Sequence, residues 1–294
     1  MNLDNLILGI IYIAVFFLLF FAGKIIYNLL HREFDLNKEL VENDNPAVCL
    51  GITGYYAGLV MCLGGAVAGP SNGLTADLMD LATYGILGII LLNISIYLCD
   101  WIILYKFKVT DELLRDRNQG TGAVIFGIAL ASGFIIYGSV SGEGGNIWTA
   151  IAFWLMGQVL LFVAAWFYNL ITPFDIQKEV EKDNVAAGIS FAGALIAVGI
   201  VVGLSAEGEF VSWQQNIFEF LSYAAVGLVS LPLVRFLTDK LLLPGVKLSD
   251  EITGVRRDTS TQKLATEERG PNIGAAYIEA FAYIAGAFVI YWCI

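Results

Sequence analysis

The sequence predicts an all-α membrane protein of eight transmembrane helices, arranged as two tandem four-helix repeats. Three observations lead to this prediction. Of the 294 residues, 57% are hydrophobic and 15% are charged, whereas soluble domains carry about 25% charged residues. Eight apolar runs are long enough to cross a bilayer, and the basic residues fall on alternate connections. This composition excludes a nucleic-acid-binding protein and a soluble enzyme with one apolar core.

Each bilayer crossing requires roughly 20 consecutive apolar residues. The runs that meet this length are residues 6–30, 47–68, 81–107, 120–140, 147–171, 185–204, 217–243 and 273–294. Glycines and Pro232 interrupt several runs, and such residues are tolerated where helices pack against each other in lipid. We therefore expect each run to be a membrane-spanning helix, with the lipid bilayer as its main partner.

All 16 lysine and arginine residues lie in or beside four alternate connections, while the other connections and both termini contain none. The opposite side instead carries acids: Asp4, Asp77, Asp80, Glu143, Glu207, Glu209 and Glu219. Because connections rich in Lys and Arg stay in the cytoplasm, this pattern predicts a cytoplasmic basic face and places both termini outside. The acids on the outer side either attract cations toward the membrane or only make the loops soluble.

The chain repeats itself in two halves, residues 1–141 and 142–294. Short matches recur in the same order: Tyr27-Asn28-Leu29 with Tyr168-Asn169-Leu170, Phe34-Asp35 with Phe174-Asp175, and Asp44-Asn45 with Asp183-Asn184. The second half also contains a polar insertion at about residues 252–268. An even number of spans gives both copies the same orientation, so an axis along the membrane normal relates them. We predict a pseudo-symmetric bundle around this axis.

Every even-numbered helix begins with an asparagine that follows a charged stretch. These residues are Asn45, Asn118, Asn184 and Asn272. Asparagine is a preferred N-cap, because its side-chain oxygen accepts hydrogen bonds from the first-turn amides. A second interpretation is that the four helix N-termini converge, so that their positive dipole ends hold an anionic group or select permeating ions. The two interpretations are compatible.

The linker that leads into the sixth run resembles a known family. Residues 174–188 read Phe-Asp-x-x-Lys-Glu-x-x-x-Asp-Asn-x-Ala-x-Gly, and this motif is similar to that of the YjfL-like bacterial inner-membrane proteins, called domain of unknown function 350. The resemblance covers both halves. It departs in the first half, where Cys49 replaces Gly188 and Pro46 follows the asparagine. The resemblance implies a multi-pass protein of the bacterial inner membrane. It also implies a gene that lies beside those of an ATP-grasp enzyme and a phage-shock-type coat protein, which makes these soluble proteins the expected partners in an envelope-stress or polyamine context.

Setting aside Lys24 and Glu219, which lie near span ends, four ionisable residues lie within the predicted spans: Asp100, Asp239, Arg235 and Glu279. Such residues are costly in a membrane and are functional candidates by default. Asp100 and Asp239 occupy equivalent positions, so duplication predicts either a paired cation site at the cytoplasmic mouth or two carboxylates that pair locally near the interface. Arg235 and Glu279 replace Ile96 and Ile125 of the first half. We expect them to be partners, forming either a structural lock or half of a gate.

Two functions remain open from the sequence. The first is a cation channel or transporter with an acidic site near the cytoplasmic mouth. The second is a membrane platform whose linkers and insertion recruit a soluble cytoplasmic partner. We expect no enzymatic activity, no cofactor and no metal, because the chain has one histidine, His31, and no phosphate-binding or hydrolase motif. A homo-oligomer is compatible with either function.

Overall fold

Eight long apolar helices make up most of the protein in the computed structural model, which describes residues 3–68, 71–255 and 270–293. They are α1 (Leu3–Leu30), α2 (Pro46–Val67), α3 (Leu74–Ile103), α4 (Gln119–Val140), α5 (Ile147–Ile171), α6 (Val185–Ala206), α7 (Trp213–Leu237) and α8 (Ile273–Cys293). Within the described residues, these eight are long and apolar enough to cross a membrane. Most of the predicted insertion at about residues 252–268 lies outside the described residues.

Two helices begin at least four residues before their apolar runs. Helix α3 begins at Leu74 and includes Asp77 in its first turn, where an acid interacts favourably with the helix dipole. The Asp77 carboxylate also accepts hydrogen bonds from the Asn72 amide at 2.8 Å and the Tyr12 hydroxyl at 2.6 Å. Helix α7 begins after its cap, Ser212. The predicted starts at residues 81 and 217 were wrong because an apolar run does not include the polar first turn.

The even-numbered helices form the inner row of the protein. Helix α2 packs on α4, α4 on α6, and α6 on α8, and these are the most extensive helix contacts. The odd-numbered helices flank the row: α1 and α3 pack on α2, α5 on α4 and α6, and α7 on α6 and α8. In the described part of the chain, no comparable contact joins α2 with α8. The two halves are therefore joined side by side, and the predicted bundle around a central axis was wrong.

Neighbouring helices of the row meet through the same contact three times. Gly54, Gly127 and Gly193 each lie nine residues after the asparagine of their helix. An added Cβ at these glycines would collide with the Cα atoms of Phe126, Ala192 and Ala280, respectively. Each of those residues lies eight positions after the asparagine of the next helix. Small residues thus let the backbones approach closely, and one contact geometry is repeated along the row.

The two ends of the row lack this contact. Phe281 is the α8 equivalent of the three glycines, and its side chain is 64% exposed. Thr53 occupies the corresponding outward position on α2 and is also exposed. Terminal units of repeat proteins are often atypical in this way. Large apolar side chains also cover the outer faces of the flanking helices, including Leu18 of α1 and Phe218 of α7, as expected of surfaces that face lipid.

Candidate functional site

Four linkers lie at the end of the helices opposite the two chain termini. They comprise residues 31–45, 104–118 and 172–184 and the described residues 238–255 and 270–272 of the last linker, and we call them together the linker rim. Each linker contains a short helical segment: Lys38–Glu42, Val109–Leu114, Ile176–Glu181 and Leu248–Thr253. In the last linker this segment follows a π-helical turn, Thr238–Leu242, that continues α7. The rim therefore has one short helix for each helical hairpin.

All four predicted asparagines are helix N-caps. The side-chain oxygens of Asn45, Asn118, Asn184 and Asn272 accept hydrogen bonds from the amides of Ala47 at 3.1 Å, Thr121 at 2.8 Å, Ala187 at 3.0 Å and Ala275 at 3.1 Å. These bonds satisfy donors that a helix start leaves without a partner. They leave the two side-chain N–H groups of each asparagine available for other contacts.

The asparagine side chains also join the linkers to one another. Asn118 Nδ2 donates to Glu112 Oε2 of its own linker at 2.7 Å and to the Val180 carbonyl of the next linker at 2.7 Å. The same pair of bonds recurs from Asn45 to Glu39 (3.0 Å) and Leu113 (2.9 Å), and from Asn184 to Glu179 (2.9 Å) and Ile252 (3.0 Å). In every case, the accepting carbonyl follows the glutamate of the next linker. We call this repeated arrangement the asparagine relay.

The relay ends at the fourth linker. Asn272 donates to Glu251 Oε2 at 2.8 Å, and among the described residues it donates to no other linker. Asn272 is exposed, whereas Asn45, Asn118 and Asn184 are at most 4% exposed. The first three asparagines therefore lie between linkers in sites shielded from water, and the fourth lies at the edge.

An ion pair joins the second and third linkers in addition to the asparagine relay. Lys106 of the second linker pairs with Asp175 of the third at 2.6 Å. The hydrogen bond from Lys106 holds the pKa of the Asp175 carboxyl below its usual range and raises the pKa of Lys106. Burial raises the pKa of Glu112, the relay acceptor beside Asn118. The second and third linkers are thus joined by an ion pair as well as by Asn118.

Asp100 and Asp239, the two acids that the internal repeat pairs, have different surroundings. Asp239 Oδ1 accepts a hydrogen bond from the Leu248 amide at 2.7 Å, and Oδ2 pairs with Lys240 at 3.1 Å. Asp100 is half-buried near the end of α3, and within the described residues its carboxylate has no hydrogen-bond or ion-pair partner. Helix α3 packs on α1, α2, α4 and α5, whereas α7 packs on α5, α6 and α8. The structure therefore does not pack the helices of the two acids together.

Arg235 and Glu279 are in contact. Arg235 Nη1 donates to Glu279 Oε1, and Nη2 donates to Ser249 Oγ of the fourth linker at 2.9 Å. The guanidinium also lies 6.0 Å from the centre of the Tyr168 ring and 5.9 Å from that of Phe174. Glu279 is 0% exposed and Arg235 is 8% exposed. This is a buried ion pair whose guanidinium reaches the linker rim.

Sequence reasoning missed the groups around this pair. Tyr168 of α5, Ser190 of α6 and Tyr283 of α8 are buried near it, and with Arg235 and Glu279 they form what we call the buried polar cluster.

The glutamates of the asparagine relay were also not predicted from the sequence. The pattern that could have indicated them is their spacing, because each lies five or six residues before the asparagine of the first three linkers.

The opposite end of the protein contains a small acidic cleft. Its volume is about 190 Å³, and Tyr12, Asp77, Asp80 and Glu143 lie among its lining residues. The loops there are joined by a hydrogen bond from the Phe210 amide to the Glu143 carbonyl at 2.8 Å. Three of the acids noted in the sequence therefore share one surface depression.

Eight apolar helices, joined in hairpins by bonded linkers, define a multi-pass transmembrane protein with an internal repeat. The chain belongs to the family described as Domain of Unknown Function (DUF350), whose model matches twice, at residues 1–140 and 144–294. It is similar to the UPF0719 transmembrane protein of Aquifex aeolicus (strain VF5), with 26% identity over 282 residues. That alignment covers 94% of this chain and 96% of the relative. No solved structure gives a significant match.

Proposed function

We propose that the protein is a membrane platform, without enzymatic activity, whose linker rim faces the cytoplasm of a bacterial inner membrane and docks a soluble protein. The observation that carries this proposal is the asparagine relay, which joins four linkers into one continuous surface through three equivalent pairs of hydrogen bonds. A surface fixed in this way loses little conformational freedom when a partner binds, and that favours affinity. The concentration of Lys and Arg at this end supports its cytoplasmic orientation.

The docking surface is charged and mixed in sign. Arg117 and Lys178 are exposed on the adjoining second and third linkers and form no ion pair within the described residues. Asp183 and Glu181 are exposed beside them. Charged groups of this kind steer a partner and set its orientation more than they add affinity. The partners that the family resemblance implies are the ATP-grasp enzyme and the phage-shock-type coat protein.

A direct test measures the binding of each purified candidate partner to the full chain in lipid nanodiscs. The rim variant Arg117→Gln/Lys178→Gln is compared with Val211→Glu/Gln214→Glu, which lowers the net charge equally at the opposite end. We expect one candidate to bind the unmodified chain. Its binding to the rim variant should be weaker and less dependent on salt, and its binding to the variant at the opposite end should be unchanged. Equal binding to both variants, or no binding of either candidate, would refute the platform proposal.

A second candidate function is cation transport, and the isolated carboxylate of Asp100 favours it. Asp100 lies on α3, whose first turns contribute Asp77 and Asp80 to the acidic cleft. Flux of protons, sodium, potassium and a polyamine into proteoliposomes tests this function. Flux that is lost in Asp100→Asn but kept in Asp239→Asn would support transport at Asp100. Absence of flux from folded protein would remove the candidate.

A further inference from the structure

A cavity lies between α6, α7 and α8 at the end of the protein opposite the linker rim. Its volume is about 240 Å³. The residues that line it are Val201, Leu204, Ser205, Tyr223, Ile290 and Tyr291. Leu204 and Ser205 belong to the last turn of α6, and Ile290 and Tyr291 belong to the last turn of α8. The cavity therefore lies within the membrane spans, close to one boundary of the membrane.

The internal repeat relates this cavity to the acidic cleft of the first half. Tyr223 aligns with Tyr84 of α3, by the same offset as the paired aspartates. Residues 204–205 align with residues 65–66, because both pairs begin twenty residues after the asparagine of their helix. All three of these first-half residues line the acidic cleft. That cleft contains three carboxylates, whereas the described residues that line the second-half cavity carry no charge. The second copy is therefore an uncharged counterpart of the first.

The wall of this cavity is apolar except for three hydroxyl groups. Valine, leucine and isoleucine side chains supply the apolar part. The Ser205 hydroxyl donates within α6 to the Val202 carbonyl at 2.7 Å. Within the described residues, the hydroxyls of Tyr223 and Tyr291 form no hydrogen bond with the protein. Because a tyrosine hydroxyl can donate a hydrogen bond, the wall offers two donors to an occupant that is otherwise apolar.

The cavity is continuous with the surface that faces lipid. Val226 lies one turn from Tyr223 on α7, Val289 lies beside Ile290 on α8, and both valines are exposed. Tyr291 is itself 43% exposed. Tyrosine is enriched at the membrane boundary, where its ring contacts apolar groups and its hydroxyl reaches polar ones. The molecules that meet this surface at this depth are bilayer lipids, at the boundary between their headgroups and their acyl chains.

We propose that this cavity is a phospholipid site. It receives the upper part of one acyl chain, and the hydroxyls of Tyr223 and Tyr291 donate hydrogen bonds to the ester oxygens of that lipid. An ester carbonyl accepts hydrogen bonds and carries no charge, so it matches two hydroxyl donors in an uncharged wall. Bulk lipid is as apolar as the protein surface, and packing and hydrogen bonds therefore decide which lipid stays bound. This inference does not depend on the platform function.

The test uses a phosphatidylethanolamine probe with a diazirine in its acyl chain, mixed into nanodiscs that hold the full chain. The protein is transferred to detergent, bulk lipid is removed by chromatography, and light then cross-links the probe that remains bound. Mass spectrometry of peptides maps the cross-links. We expect several-fold more cross-linking at Tyr223 and Tyr291 than at Leu18 and Leu155, which are exposed on α1 and α5. Equal cross-linking at all four residues, or no retained probe, would overturn the proposal.

A variant that fills the cavity provides a second comparison. Ser205→Phe places an aromatic ring in the cavity, and we expect it to lower the retained probe several-fold. Ser139→Phe is the matched control, because Ser139 is the α4 equivalent of Ser205 and does not line this cavity. Its hydroxyl likewise donates to a carbonyl of its own helix, at 2.7 Å. Equal retention by the two folded variants would contradict the assigned site.

A third variant tests the hydroxyls without changing the shape of the wall. Tyr223→Phe/Tyr291→Phe keeps both rings and removes both donors. We expect it to retain several-fold less probe than the unmodified chain. Unchanged retention would overturn the hydrogen bonds assigned to the two tyrosines. The comparison within the unmodified chain decides the proposal by itself if Ser205→Phe does not fold.

Discussion

Asn118 donates a hydrogen bond to the carbonyl of Val180, 62 positions further along the chain, at 2.7 Å. This bond crosses between the two halves of the protein. Its equivalents, from Asn45 to Leu113 and from Asn184 to Ile252, lie within the first and second halves. The boundary between the halves is therefore built like the boundaries inside them. The structural unit that repeats is the helical hairpin, and the part of the chain that the structure describes contains four of them in a row.

Because the helix backbones of the row lie so close together, a methyl group added at a contact glycine should lower the stability of the protein. Gly127→Ala and Gly193→Ala place a Cβ against the Cα atoms of Ala192 and Ala280, so that the helices must separate. We expect each to lower the free energy of unfolding by about 1–3 kcal/mol, measured by thermal unfolding in detergent. Gly9→Ala is the control, because nothing lies within 4 Å of an added Cβ at Gly9. Equal melting temperatures for all three variants would contradict the packing of the row.

Backbone conformation predicts a stabilising substitution in the second linker. Arg117 precedes the relay asparagine and has a φ of 51°, in the left-handed region, as do Asp44 and Asp183 at the equivalent positions. This conformation is costly for a residue with a Cβ and free of that cost for glycine. We expect Arg117→Gly to raise stability by up to about 1 kcal/mol. Arg117→Ala removes the same charge without relieving the backbone and should give no gain. A gain in both variants would assign the effect to charge.

The buried ion pair predicts strong coupling between its members. Arg235→Ile or Glu279→Ile alone leaves an uncompensated buried charge, and we expect each to cost about 3–5 kcal/mol. The double variant restores the apolar pair of the first half and should cost less than either single variant. Chemical denaturation of all four proteins measures this cycle. Additive losses would show that the two side chains do not interact.

The pair between Lys106 and Asp175 predicts a stability loss in acid. Because the pKa of Asp175 is lower in the folded chain, its ionised form stabilises the fold above the ordinary range of aspartate, near pH 4. This contribution is lost as the pH falls through the lowered pKa. As the pH falls through this acid range, the melting temperature of the unmodified chain should therefore drop more than the melting temperature of Asp175→Asn. Asp175 also caps the short helix Ile176–Glu181, because its Oδ1 accepts a hydrogen bond from the Gln177 amide at 3.1 Å. Asparagine is an equally good helix cap, so the variant removes the ion pair while keeping the cap. Identical acid profiles would contradict this contribution.

Much of the fold could be predicted from the sequence, because membrane crossing imposes a length and a composition on each helix. The eight spans, the tandem halves and the asparagine positions all follow from patterns along the chain. The row of even helices could not be predicted this way. It depends on which faces of the helices carry Gly127, Gly193 and their equivalents, and a repeat alone does not show whether units join in a row or around a centre.

The candidate sites were predictable only in part. Arg235 and Glu279 were found because both depart from the internal repeat, and their contact follows from the cost of separate buried charges. The hydroxyls of Tyr168, Ser190 and Tyr283 gave no signal, because such residues are common in membrane helices. The predicted symmetry of Asp100 and Asp239 does not extend to their contacts. Asp239 binds its own linker, and sequence equivalence does not determine the contacts of a side chain.

The most direct test of the asparagine relay compares Asn→Asp substitutions at its four positions. Aspartate keeps the N-cap acceptor but removes the donor to the next linker and faces a glutamate. The account predicts that Asn45→Asp, Asn118→Asp and Asn184→Asp each lower the melting temperature clearly. Each substitution leaves a buried carbonyl without its hydrogen-bond donor, and this costs about 1–3 kcal/mol of folding stability. Asn272→Asp, at the exposed edge, should have a much smaller effect. Equal shifts at all four positions would show that the asparagines act as caps alone and that the linkers are not joined through them.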